Sequence, residues 1–165
     1  VTAAKSRSQL GRMSRNKGAK AERDLVAYLR MVGFGGAERA VRTGYRTKDR
    51  VAADPGDITG TPGIVWSVKD AAVERIDTWL DELDAMAADP RLPVDDVRLL
   101  VHKRRGRAIP DKWWCWLRLH ELKGLVGAPN PSYSNDDDVP VRMELGHVID
   151  LLHAAGYGDP GEVAS

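Results

Sequence analysis

The sequence predicts an α/β domain, a mixed central sheet flanked by helices. Three observations predict it. Several segments carry apolar residues at helical spacing, short apolar runs bounded by turn residues lie between them, and the two kinds alternate as α-β-β-β-α-β-β-α. At 165 residues and 18.1 kDa, with 42% hydrophobic residues, the chain has the length and composition of one globular unit.

Residues 1–16 contain Lys5, Arg7, Arg12 and Arg15 with no acid, and are expected to form a basic flexible arm. From about Lys17 to Val32, Ala21, Leu25, Leu29 and Val32 recur at helical spacing, and Gly33 ends the run. A short strand is expected over about 37–43, then a polar, basic loop to Asp54. Two strands follow, about 57–59 and 64–69, joined by the turn Gly60-Thr61-Pro62-Gly63. A helix is predicted over 72–87, with Val73, Ile76, Leu80, Leu83 and Ala87 as its apolar stripe and Trp79 beside it.

VRLLVHKR (97–104) reads as a buried strand running into a basic turn. WWCWLRL (113–119) reads as its antiparallel neighbour, and 120–127 as a short helix. Residues 128–140 have the composition of a linker, and 141–165 are expected to form a last amphipathic helix and tail. The core would thus span 17–127.

No apolar run approaches the roughly 20 residues a membrane-spanning helix needs, so no membrane partner is expected. The basic N-terminal stretch has no apolar signal region, and a cytoplasmic location is expected. Cys115 is the single cysteine, so an internal disulfide and a Cys-rich zinc site are both excluded.

The net charge of +1 conceals an asymmetry. Residues 1–50 hold 13 Lys and Arg against 4 Asp and Glu, whereas 51–165 hold 12 against 20. A second basic cluster, Lys103, Arg104, Arg105 and Arg107, lies within the acidic part. Two basic stretches around an acid-bearing segment suit a protein that grips a polyanion; a solvated arm and a charged hairpin account for the same charges. Residues 120–165, with 8 acids and 2 bases, are expected to stay away from a polyanion.

Strand alternation places Ser67 and Lys69 on one face of their strand and Asp70 on the other. Asp57 opens the neighbouring strand and can reach that same face. Glu22 lies beside the Leu25/Leu29 stripe, where a carboxylate can face the sheet. Phosphodiester hydrolysis calls for a hard cation, and Mg²⁺ takes only one or two protein carboxylates with water.

These segments, GAKAERDLVAYLRMVGF, AERAVRTG, PGDI, IVWSVK, WLDE and LLVHKRRG…WWCWL, together resemble the PD-(D/E)xK nuclease superfamily, and more narrowly the Holliday junction resolvases of archaea and bacteriophages. The resemblance covers about residues 15–125. It implies a restriction-endonuclease-like αβββαβ core and an endonuclease using Mg²⁺ or Mn²⁺. Asp57 would be the central metal ligand, Lys69 the catalytic lysine and Glu22 the helix acid that contacts metal or its water. The middle acid of the family falls on Ser67. Some restriction endonucleases resemble a variant in which Ser-x-Lys is followed by an acid on the next helix, and here Lys69 is followed, after twelve intervening residues, by Glu82. Glu74 and Asp77 compete for that place, as does a water held by Ser67.

The family likeness further implies branched DNA, a four-way junction, as partner, a C2 homodimer with two sites, and the host cytoplasm where a phage encodes the chain. Arg15, Lys17, Lys20, Arg39, Arg42 and Arg46, with Lys103, Arg104, Arg105 and Arg107, would contact phosphates. Trp113, Trp114 and Trp116 are expected in the core or, with Trp79, at a dimer contact, with stacking on unpaired bases as an alternative. Flap, nick or duplex cleavage, and DNA binding without cleavage, remain open beside junction resolution.

Overall fold

Six strands build one mixed sheet, in the spatial order of the chain from first to last. The computed structural model describes residues 6–40, 55–93, 96–128 and 138–162. The elements are α1 (Arg7–Met31), β1 (Glu38–Arg39), β2 (Ile58–Thr59), β3 (Ile64–Lys69), α2 (Ile76–Ala87), β4 (Val97–His102), β5 (Trp114–Arg118), α3 (Leu119–Leu125), β6 (Pro140–Glu144) and α4 (Leu145–Ala154). β3 and β4 run parallel, with α2 as their crossover; every other neighbouring pair is antiparallel. A parallel pair needs such a crossover, whereas antiparallel strands can be joined by turns.

Alternation along β3 divides the core in two. Ile64, Trp66 and Val68 pack with Leu25 and Leu29 of α1 and with Val148 and Leu152 of α4. Val65 points the other way, into a smaller cluster with Leu100 and with Trp79, Leu80 and Leu83 of α2. Ser67 and Lys69 share the Val65 side by the same two-residue period. One helix therefore stands over the face that carries them.

The structure departs from the sequence reading at three boundaries. Helix α1 begins at Arg7, about ten residues ahead of its expected start, so residues 7–16 of the expected flexible arm are helical. A capping box starts it: Gln9 N–H donates to Ser6 Oγ at 3.3 Å, and Ser6 N–H to Gln9 Oε1 at 3.0 Å. Helix α2 begins at Ile76, not 72, which leaves Val73 of its expected stripe exposed. The third departure is a strand where a helix was expected: residues 140–144 pair with β5 along its whole length, Arg118 opposite Pro140 through Trp114 opposite Glu144. An edge-strand ladder needs a partner that no local pattern reveals.

Two close backbone approaches in the β2–β3 region require glycine. Gly60 has φ +78°, and a Cβ there would overlap the Gly36 carbonyl oxygen. Gly56 has φ +92° and lies against the Trp66 carbonyl. That second contact sets Asp57 beside β3.

Among the described residues, no helix is long and apolar enough to cross a membrane.

Candidate active site

Asp57 enters the site through its backbone. Its N–H donates to the Trp66 carbonyl at 2.8 Å, and its own carbonyl accepts from Ala40 N–H at 3.0 Å. Its side chain then turns across to β3, where Oδ2 accepts the Val68 N–H at 2.7 Å. The carboxylate is thus anchored in the strand that carries Ser67 and Lys69. Asp57 and Ser67 are each only 8% exposed.

A cleft of about 220 Å³ opens beside these groups, between β3 and one flank of α2. Gly56, Asp57, Ser67, Lys69, Glu82, Leu83 and Met86 line it. Lys69 Nζ lies 3.5 Å from Glu82 Oε2 and 5.8 Å from the centroid of the Trp79 ring. Glu82 is mostly exposed, so its side chain stays adjustable where Asp57 is held.

Of the acids that compete for the place on the helix, Glu82 is the one at the cleft. Glu74 is turned away, with Oε1 3.5 Å from His102 Nδ1, a distance without hydrogen-bond geometry. Asp77 is exposed on the first turn of α2. Glu22 is not among the cleft residues: on α1, it accepts from Arg39 Nε at 2.9 Å and lies 2.7 Å from Arg39 Nη2. That pair also occupies one of the expected phosphate contacts.

The oxygens at the cleft are of the kind that binds a hard divalent cation: two carboxylates and a hydroxyl, with room for water. Among the described residues, no group of three or more His, Cys, Asp or Glu side chains is arranged to hold a metal ion. Asp57 and Glu82 are the carboxylates there that could hold Mg²⁺, which takes one or two protein carboxylates and keeps several waters.

The basic residues fall into different settings. Arg15 and Lys17 are exposed on the first turns of α1, and Lys20 pairs with Asp24 at 2.7 Å. In the β4–β5 connection, Arg105 and Arg107 are exposed, and Lys103 lies 3.6 Å from Asp70. Arg104 stacks on Trp114 at 4.1 Å and reaches Glu144 at 3.4 Å. Arg42 and Arg46 lie outside the described residues.

The tryptophans divide too. Trp113 is fully buried, and so, almost, is Trp79, which packs on His102 and is thereby withdrawn from the expected dimer surface. Trp114 is half-buried between Arg104 and Arg142, the latter 4.2 Å from its ring centroid. Arg142 lies in a segment whose local pattern predicts a helix; as a residue of β6 opposite Trp116 of β5, it reaches the tryptophan strand. Leu83 and Met86, read only as core or left aside, form the apolar wall of the cleft. The spacing of Met86, four residues beyond Glu82 on one helix, is the signal available in the sequence; Leu83, one residue on, has none.

In comparisons with known proteins, no family model matches this chain, and no curated protein or solved structure is significantly similar to it.

Proposed function

We propose that this chain is a metal-dependent, structure-selective DNA endonuclease of the PD-(D/E)xK kind, with a restriction-endonuclease-like core, and that its substrate is a four-way junction. One observation carries the catalytic reading. Asp57 just before β2, Ser67 and Lys69 of β3 and Glu82 of α2 converge on one small cleft. A strand serine and lysine with an acid on the next helix is the arrangement the resemblance implies. The choice of junction over other DNA rests on the resemblance to resolvases.

In this reading Asp57 and Glu82 hold Mg²⁺ or Mn²⁺, which would polarise the phosphoryl oxygen and acidify a bound water. Asp57 is the fixed ligand, because the Val68 N–H sets its orientation. Glu82 would join it by leaving its contact with Lys69. Lys69, freed of that partner, neutralises charge developing on the phosphoryl group and orients the attacking water. The Ser67 hydroxyl hydrogen-bonds a water at the site. Water would attack phosphorus and give its proton to solvent, the 3′ oxygen would leave in line and take a proton from solvent, and a C2 homodimer would place two such sites for paired cuts. Glu22, bound to Arg39, acts from α1 on the metal's water only if that pair opens.

A second reading, DNA binding without cleavage, is favoured by one feature: the middle acid is replaced by Ser67, and Glu82 is already engaged with Lys69. A labelled synthetic four-way junction and a matched linear duplex, incubated with Mg²⁺, Mn²⁺ or EDTA, separate the readings. Paired, metal-dependent nicks in the junction alone, reduced at least a hundredfold in Lys69→Ala and Glu82→Gln, are expected. Equal cutting of the duplex would make the chain a general nuclease. Tight junction binding with no cutting in any metal would leave the non-catalytic reading.

A further inference from the structure

RSQLGRMSRNKGAK, residues 7–20, carries Arg7, Arg12, Arg15, Lys17 and Lys20 and no acid. The structure makes this segment the first half of α1, while the first buried residue of that helix is Ala21. Residues 12–17 and 6–10 are all exposed. Eleven helical residues span about 16 Å, so roughly three turns stand clear of the sheet before packing begins. An unpacked helix of this length is marginal alone. Here it is continuous with the packed half and closed at its start by the Ser6/Gln9 box.

The distribution of its cations selects the partner. At about 100° per residue, Arg7, Arg15, Arg12, Lys20 and Lys17 fall near 0°, 80°, 140°, 220° and 280°, so the positive charge encircles the helix. Leu10 and Met13, 53% and 40% exposed, lie among the cations and make no separate apolar face. A helix that lies on a lipid surface or in a protein groove needs such a face opposite its charges. A helix ringed by cations suits a channel with negative walls on both sides. The major groove of B-form DNA, about 12 Å wide, is such a channel and admits an α-helix; the deep, narrow major groove of duplex RNA does not. Of the five cations, Lys20 alone has an ion pair with a described residue, and that is a surface i,i+4 contact of little energy.

We propose that residues 7–20 are a preformed groove helix that enters the major groove of a duplex DNA arm and grips both phosphate walls. The choice of DNA rests on the nuclease reading above; the mode of binding rests on the helix. Gly11 and Gly18 are consistent with close approach. Nothing lies within 4 Å of a Cβ built on either, so neither glycine is required by packing within the chain.

The test is fluorescence anisotropy of a labelled linear duplex with the full chain in EDTA, over a range of salt, so that cleavage plays no part. Arg12→Ala/Arg15→Ala/Lys17→Ala should reduce the magnitude of the slope of log K against log salt by about 2.7, at roughly 0.9 per phosphate contact. Gly18→Pro keeps every charge but removes the hydrogen bond to the Ser14 carbonyl and parts residues 7–17 from the packed half of the helix, and should weaken binding at least tenfold with a loss of helical circular dichroism. Guanine N7, which faces the major groove, should be protected from methylation. Unchanged slope in the triple variant would overturn the proposal, as would full affinity in Gly18→Pro, which would mean an unstructured polycation. Binding to anionic lipid vesicles in place of the duplex would also overturn it. Helix-dependent binding without cleavage under Mg²⁺ would defeat only the nuclease reading, and cleavage without helix-dependent binding only this one.

Discussion

Asp57 both holds a strand and lines the cleft. Its Oδ2 accepts the buried Val68 N–H at 2.7 Å, so its removal costs more than a charge. Asp57→Ala would leave that donor without its acceptor, which costs about 1–3 kcal/mol. Asp57→Asn keeps an acceptor oxygen and loses the carboxylate. Urea unfolding should therefore show Asp57→Ala destabilised by about 1–3 kcal/mol and Asp57→Asn by less than about 1 kcal/mol, with neither cutting DNA. If both variants unfold alike, the hydrogen bond contributes nothing to stability. Cys115 is simpler: it is fully buried, burial pushes its thiol pKa up, and it serves as a small apolar core residue.

At the scale of elements, the roll of α2 decides which acid meets Lys69. Asp81 and Asp84 on its far flank bind Arg118 of β5, at 2.8 and 3.0 Å. Arg98 of β4 joins them, 3.3 Å from Asp84 and 2.6 Å from Glu121 of α3. Arg118 is only 7% exposed. Burial opposes its charge, yet the hydrogen bonds and charges of Asp84, Asp138 and Asp81 outweigh it and hold its pKa above the ordinary value. With one flank clamped, the other presents Glu82 to the cleft. Removing one partner of a buried ion pair costs about 3–5 kcal/mol and of an exposed one about 0–1. Asp81 and Asp138 keep contact with water, so Arg118→Ala should cost about 2–3 kcal/mol in urea unfolding. Glu82, on the opposite flank, should cost little stability when changed to Gln.

For the whole molecule, the junction between α1, α4 and the turn at 110–112 is marked by Tyr28. Burial, then the negative charges of Asp111 and Asp150, push its phenol from 10.0 up to about 12. The folded state holds this proton after the unfolded chain has lost it. Its contribution to stability is therefore complete below about pH 10 and is lost as pH rises toward 12. Absorbance at 295 nm should show one tyrosine titrating near 12, absent in Tyr28→Phe. That variant should also lose stability less steeply over the same range. A Tyr28 titrating near 10 would mean that the α1–α4 junction is more open to water.

Local periods were legible in the residues alone. The apolar run after the Gly60–Gly63 turn gave β3 at Ile64–Lys69, where the structure has it, and the two-residue period of a strand put Ser67 and Lys69 on one face. The spacing of Leu25 and Leu29 gave the buried side of α1. These patterns are local because each strand or helix repeats its own geometry. The start of α1 was a local signal passed over, since Ser6 and Gln9 form a cap from adjacent residues. Strand β6, the pairing of Glu22 with Arg39 and the choice of Glu82 over Glu74 were decided only in three dimensions. Each depends on a partner distant in the chain: β5 for the ladder, β1 for the carboxylate of α1, and Arg118 for the roll of α2. Periodicity assigns a residue to a face, but the hydrogen bonds and charges of neighbouring elements decide which group that face meets.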